Sequence, residues 1–271
     1  MFCISIDFEN WFHSPLYNGS CCHENMEEKA EAILNILEKT SSKASFYVVG
    51  NTVKTIKKTL IKISEKHEIA FHSEDHTLLY HQCSKKYFNQ LKYWKNFLED
   101  VTGKPVKGHR APAWSLTPNN NWLFDSLIEA GFIYDNSYHK MFFGTPLWNK
   151  ITLDKSGLWI IPQPDFSFMN FHLPFSGSFL FRINSVKILE KMFRLTEKKY
   201  GYSILYTHPW EICPPNSKTL HIPQLLKFYN LSFTKNNKLK FEKVINQLKP
   251  GHTVGELLEK PKFKVEKITK Y

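Results

Sequence analysis

Phe2 to Ile6 reads as a buried strand, and the polar loop after it leads into a helix where Ala30, Ile33, Leu34 and Leu37 recur at i, i+3, i+4 and i+7. The pattern then repeats. Strands are predicted at Ser45 to Val49, Glu68 to Phe71, Val106 to Gly108, Phe132 to Tyr134, Leu158 to Ile161 and Ser203 to Tyr206. Helical spacing marks Val53 to Glu65, the stripe Tyr87, Leu91, Trp94, Leu98 and Val101, Pro118 to Ala130 with proline in the first turn, and Val186 to Lys198. Strands separated by helices of this length predict parallel βαβ units, and so many of them favour closure into a barrel over two separate domains.

Met141 to Ser178 breaks the rhythm with Phe, Pro, Gly and Trp and reads as an elaborated loop with a strand inside it. Beyond Pro215 the chain turns Lys- and Asn-rich, with short helical patterns near Phe241 to Leu248 and Val254 to Leu258. Lys260 to Tyr271 reads as a solvated tail. The expected organisation is a barrel over residues 1–213 and an extension over 214–271 packed on the same domain, with a tail from about 260.

Composition adds bounds. With 42% hydrophobic and 23% charged residues, the 271-residue chain is of ordinary globular type and long enough for a large core. Its formal charge of +11 suits an anionic carrier or membrane surface, but no nucleic-acid motif accompanies it, so no nucleic-acid partner is expected. The first residues lack a basic stretch and reach Asp7 early, which argues against a secretory leader. Five cysteines, an odd number, fit a reducing compartment, and a cytoplasmic protein is expected. Cys21-Cys22-His23 has no second pair at finger-like spacing and reads as ordinary thiols.

The chemistry gathers at the ends of the predicted strands, where parallel barrels carry their active sites. Asp7 and Glu9 follow the first strand, His72 and His76 the third, Arg110 the fourth, Asp135 the fifth and His208 the last. His72 and His76 at i and i+4 would be aimed at one point by a helical turn. Two His and a carboxylate with one open position form a common catalytic set for zinc and similar divalent metals. Asp7 and Glu9 would divide metal holding from proton transfer, and Arg110, on a loop stiffened by Pro112, is the natural planar partner for a buried carboxylate. His81 is expected on the surface.

These residues, in this order, resemble the polysaccharide deacetylase family, which shares the NodB homology domain. The motifs are Asp7-Phe8-Glu9, His72 to His76, Arg110 to Trp114, Asp135-Asn136-Ser137 and Leu205 to His208. Further likeness in Trp11-Phe12, Gly177 with Phe181-Arg182, and His208-Pro209-Trp210-Glu211-Ile212 suggests the subgroup with a C-terminal extension, associated with exopolysaccharide biosynthesis. The resemblance implies a distorted, incomplete (β/α) barrel and metal-dependent removal of N-acetyl groups from the sugars of a glycan. It makes Glu9, His72 and His76 the metal ligands, Asp7 the general base held by Arg110, and His208 the general acid oriented by Asp135.

The metal implied is zinc, with cobalt, nickel or manganese as substitutes. Asn10 stands where subgroup members carry an acid, and is the alternative ligand to Glu9. Trp114 and Trp210, with Trp148 and Trp159, are candidates for stacking on sugar rings. A cytoplasmic enzyme of this kind would act on a polyprenyl-linked precursor at the inner face of the membrane. A glycan-binding protein without catalysis, or an amide hydrolase with a small substrate, remains an alternative on the same scaffold.

Overall fold

In the computed structural model, strand β1 (Phe2–Phe8) is buried on both faces, as befits the centre of a parallel sheet. The structure describes residues 1–13, 25–120, 122–139, 150–168, 171–215, 224, 225, 228, 232–260, 266 and 267. Cys21, Cys22, His23 and Trp148 lie outside them. The strands that follow are β2 (Ser45–Val48), β3 (Glu68–Phe71), β4 (Gly108–His109), β5 (Tyr134–Asp135), β6 (Thr152–Leu153), β7 (Trp159–Ile160), a β8–β9 hairpin (Phe166–Phe168, Phe171–Leu173), β10 (Ser203–Thr207) and β11 (Glu266–Lys267). The main sheet has nine strands in the order β10-β1-β2-β3-β4-β5-β7-β6-β11. It is parallel from β10 through β7, and β6 then runs antiparallel. β10 and β11 are its two unpaired edges, so the barrel is incomplete, as expected.

Helices cover the outer face: α1 (Met26–Lys39), α2 (Gly50–Val53), α3 (Lys57–Ser64), α4 (Ser84–Thr102), α5 (Trp122–Glu129), α6 (Ser178–Ile183), α7 (Val186–Tyr200), α8 (Pro209–Ile212) and α9 (Asn237–Leu248). Local chemistry sets their ends. Asn25 caps α1 by accepting from the Glu28 amide at 3.1 Å, Ser185 caps α7, and α4 and α7 stop at left-handed Gly103 and Gly201. The predicted helix from Val53 to Glu65 is two, because Ile56 (φ −117°, ψ 44°) interrupts the helical backbone. Pro118 to Ala130 likewise divides into a 3₁₀ turn at Pro118–Asn120 and α5, the Asn120 side chain holding Thr117 at 2.6 Å.

Alternation along the strands sorts two surfaces. Ile4, Ile6, Phe8, Phe46, Val48, Ile69 and Phe71 join the layer under the helices. Cys3, Tyr47, Ala70, Tyr134 and Ile204 fill the barrel interior with Val254 and Leu257 from the C-terminal segment. That segment closes the bottom: the His252 amide donates to the Phe2 carbonyl and the Ile4 amide to the His252 carbonyl, both at 3.0 Å. Half-buried beneath it, Glu68 accepts from the Tyr134 hydroxyl at 2.9 Å, the Gly255 amide at 3.1 Å and the Ser45 hydroxyl. The expected solvated tail is corrected at Glu266 and Lys267, which pair with β6.

Candidate active site

The inward faces of β1, β3, β4, β5 and β10 lead to polar residues at the upper rim: Asp7, His72, Arg110, Asn136 and His208. β1 runs inward through Cys3, Ser5 and Asp7, and beyond β3 the same parity brings His72 inside. Gly108 is inward too: a Cβ there would sit 2.3 Å from the Tyr134 hydroxyl, so only glycine leaves that ring its place and lets Arg110 follow above it.

Glu9, His72 and His76 are buried, and one ligand atom from each lies within 4.8 Å of the other two. His76 Nε2 is 2.8 Å from Glu9 Oε2. His72 Nδ1 donates to the Arg110 carbonyl at 2.7 Å, and because a carbonyl can only accept, the Nε2 lone pair is left free. That Nε2 has no hydrogen-bond partner among the described residues and lies 3.7 Å from Asp7 Oδ2. Burial, with the neighbouring His76, holds the His72 pKa well below its ordinary value, so the ring is neutral, the state in which it binds a cation. Burial alone would raise the Glu9 carboxyl, but His76, aided by His208 and His72, brings it below its usual range. The donor set fits a divalent metal.

The two imidazoles do not stand on a helical turn, as their spacing suggested. They sit in a loop with left-handed backbone at Ser73 (φ 72°) and His76 (φ 64°), where the Ser73 hydroxyl accepts from the His76 amide at 2.9 Å. Asn10 directs its side-chain nitrogen to Thr52 Oγ1 at 3.3 Å. His81 is exposed.

Arg110 is clamped from every side. Its guanidinium pairs with Asp7 Oδ1 through Nη1 and with Ser5 Oγ at 3.1 Å through Nη2, while Nε donates to Asn136 Oδ1 at 3.2 Å. Tyr47 and Trp114 lie over the guanidinium carbon at 3.9 and 4.8 Å. One Asp7 oxygen is thereby committed to Arg110, and the other faces His72.

His208 Nε2 approaches Glu9 Oε1 at 3.5 Å from the opposite side. Its orienting acid is Glu211, not Asp135. Glu211 Oε2 lies 2.9 Å from His208 Nδ1 and also accepts from the His208 amide at 3.2 Å and from Thr207 Oγ1 at 3.3 Å. Arg182 Nε stands 3.3 Å from the other carboxylate oxygen. Burial would lower the His208 pKa, but this carboxylate raises it to about 9. Asp135 points the other way. Tyr134 and Asn136 take the inward positions of β5, and Asp135 meets His109 Nδ1 at 2.6 Å, whose Nε2 lies 2.8 Å from the Tyr87 hydroxyl on α4. Trp114 and Trp210 are 7% and 5% exposed; they wall Arg110 and His208 rather than offering open platforms, and the Trp210 ring stacks on His208 at 4.8 Å.

Glu211, Arg182 and Asn136 were not anticipated. A signal for Glu211 was present: a residue before Pro209 followed three positions later by Glu is the spacing of a helix-capping box.

Residues 19–126 match the family model for polysaccharide deacetylase, and residues 138–255 match that of a domain of unknown function, DUF3473. The chain therefore carries a polysaccharide deacetylase domain followed by a DUF3473 extension. The first model begins after Asp7 and Glu9, and the second takes in His208. A relative, the peptidoglycan-N-acetylglucosamine deacetylase of Bacillus cereus, is 29% identical over 102 residues, a match covering 37% of this chain and 37% of that protein. Among solved structures, a polysaccharide deacetylase homologue from Mycobacterium smegmatis superposes with a TM-score of 0.59 at 20% identity, covering 90% of this chain and 81% of that one. A CE4-family pseudoenzyme from Bacillus anthracis gives 0.53 at 16% identity over 95% of this chain and 65% of that one. These likenesses establish the deacetylase fold, and active and inactive members share it.

Proposed function

We propose that this deacetylase-family protein is a metal-dependent hydrolase that removes N-acetyl groups from the sugars of a glycan precursor and releases acetate. The observation that carries the reading is convergence: the Glu9, His72 and His76 ligand atoms lie together, with Asp7 held by Arg110 on one side and His208 held by Glu211 on the other. Glu9, His72 and His76 would hold the metal, with zinc the first choice for this donor set and cobalt, nickel or manganese able to substitute. When bound, it supplies a Lewis acid that polarises the amide carbonyl and acidifies water.

The chain's own residues do the rest. Asp7, through the oxygen that Arg110 leaves free, takes the proton from water as its oxygen bonds to the amide carbon. Arg110 keeps that carboxylate oriented. As the carbon–nitrogen bond breaks, His208 passes its Nε2 proton to the nitrogen, so the sugar leaves as a neutral amine rather than an anion. Atoms balance: one water and one N-acetyl group give acetate and a free amino sugar. The finer substrate in this reading is an N-acetylated exopolysaccharide precursor carried on a polyprenyl diphosphate at the inner membrane face, with the basic surface toward the anionic carrier.

The test is His72→Ala, assayed for bound metal and for acetate release from N-acetylated chito-oligosaccharides. The variant should lose both, with activity falling by about 10³-fold or more. Acetate release that survives in metal-free His72→Ala would overturn the mechanism, and a wild-type protein without stoichiometric metal would mark an inactive member of the fold.

A further inference from the structure

The 25 carboxylates of the sequence are unevenly spread. Phe166 to Leu189 contains no Asp or Glu, and neither does Ile212 to Phe241, which carries Lys218, Lys227, Lys235, Lys238 and Lys240. The fold brings the two tracts together. Phe179 of α6 meets the rings of Phe228 and Phe233 at 6.0 and 6.2 Å, and Arg182 of the same helix donates to the Ser232 carbonyl at 3.1 Å. The apolar side chains here face outward: Ile183, one helical turn from Phe179, is 45% exposed, Phe228 55%, Phe233 58% and Leu225 77%. Lys235 and Lys238 beside them are exposed, as is Lys187.

Aromatic and aliphatic groups projecting from two tracts that hold no acid and carry lysine have the composition of an interfacial membrane contact. The occupant is fixed by charge. A partner protein with an apolar patch would need no such exclusion of carboxylates over two separate tracts, whereas an anionic lipid headgroup layer repels them and attracts each lysine. The position also suits the chemistry, since Arg182 reaches from this face to Glu211, which holds His208.

We infer that the surface formed by α6 with Leu225, Phe228 and residues 232–238 docks on an anionic lipid bilayer, with Phe179, Phe228 and Phe233 entering the headgroup region and Lys235 and Lys238 pairing with lipid phosphates. For its purpose the inference rests on the reading of a membrane-borne precursor. The binding is measured apart from acetate release, so that either can fail alone.

The experiment is co-sedimentation of the full chain with phosphatidylcholine vesicles, with and without phosphatidylglycerol. Binding is expected only to the anionic vesicles and should weaken as salt rises. Lys235→Glu with Lys238→Glu should lower the partition coefficient about ten-fold or more, and Phe228→Ser with Phe233→Ser should do the same, while both keep wild-type acetate release on soluble oligosaccharide. The exposed lysine pair serves as the control for folding. Failure of the wild type to bind, or variants that bind as well as it, would overturn the inference. So would a dimer in gel filtration that Phe228→Ser with Phe233→Ser dissolves, since the face would then serve self-association. Vesicle binding without acetate release would instead strike the hydrolase reading and leave the docking surface standing.

Discussion

His208 keeps its proton against burial because a carboxylate stands at Nδ1 and an arginine stands behind the carboxylate. A general acid works only while protonated, so with its pKa raised to about 9 the reaction should lose rate as pH climbs through that value. Glu211→Gln removes the charge that raises it and is expected to shift the alkaline limb of kcat downward by more than one pH unit. The acidic limb, set elsewhere, should stay in place. At mildly alkaline pH kcat should fall about 10–100-fold with KM little changed. An alkaline limb that does not move in the variant would show that Glu211 does not govern this proton. Such roles were only half legible in the residues. Asp7, Glu9, His72, His76, Arg110 and His208 could be picked out by type at strand ends, and the structure brings all six together. Asp135 could not be placed by type, because one step of strand parity decides between the barrel interior and α4.

Among elements, α6 and β10 meet at Gly177, where a Cβ would lie 2.6 Å from the Tyr206 carbonyl oxygen and 2.3 Å from its ring. Backbone cannot yield as a flexible side chain does. Gly177→Ala should therefore cost about 1–3 kcal/mol in urea unfolding, and should displace Arg182 from Glu211. A variant as stable as wild type would mean that α6 shifts freely. The long amphipathic helices α1, α4 and α7 were legible from periodicity because each buries one stripe and caps itself locally. The short strands β4 and β5 were found one to two residues early, since two paired residues carry too little alternation to fix a boundary. The loop carrying His72 and His76 is not the helical turn that their i and i+4 spacing would allow. Positive φ at Ser73 and His76 leaves no hydrophobic period, so spacing alone misled.

Across the whole molecule, the C-terminal segment is structural rather than appended. Val254 and Leu257 are fully buried inside the barrel, and Gly255 supplies a hydrogen bond to half-buried Glu68. Ending the chain after Lys249 should expose that carboxylate's neighbours and lower Tm by upward of about 10 °C in thermal unfolding followed by circular dichroism. A truncated chain with unchanged Tm would show the barrel floor to be dispensable. No helix among the described residues is long and apolar enough to cross a membrane.

The pairing of His252 with Phe2 and Ile4 also has a temporal side. β1 is made well before β10, which lines one of its edges, and before His252, which adjoins the lower end of the other. Asp7 and Glu9 therefore wait at the end of a strand whose β10 edge stays open until Ser203–Thr207 are made, although β2 can pair with the other edge early. The proposed site, which draws on His208 and Glu211, can take shape only once those residues have been made, and a chain that stops short of them would lack its proposed general acid.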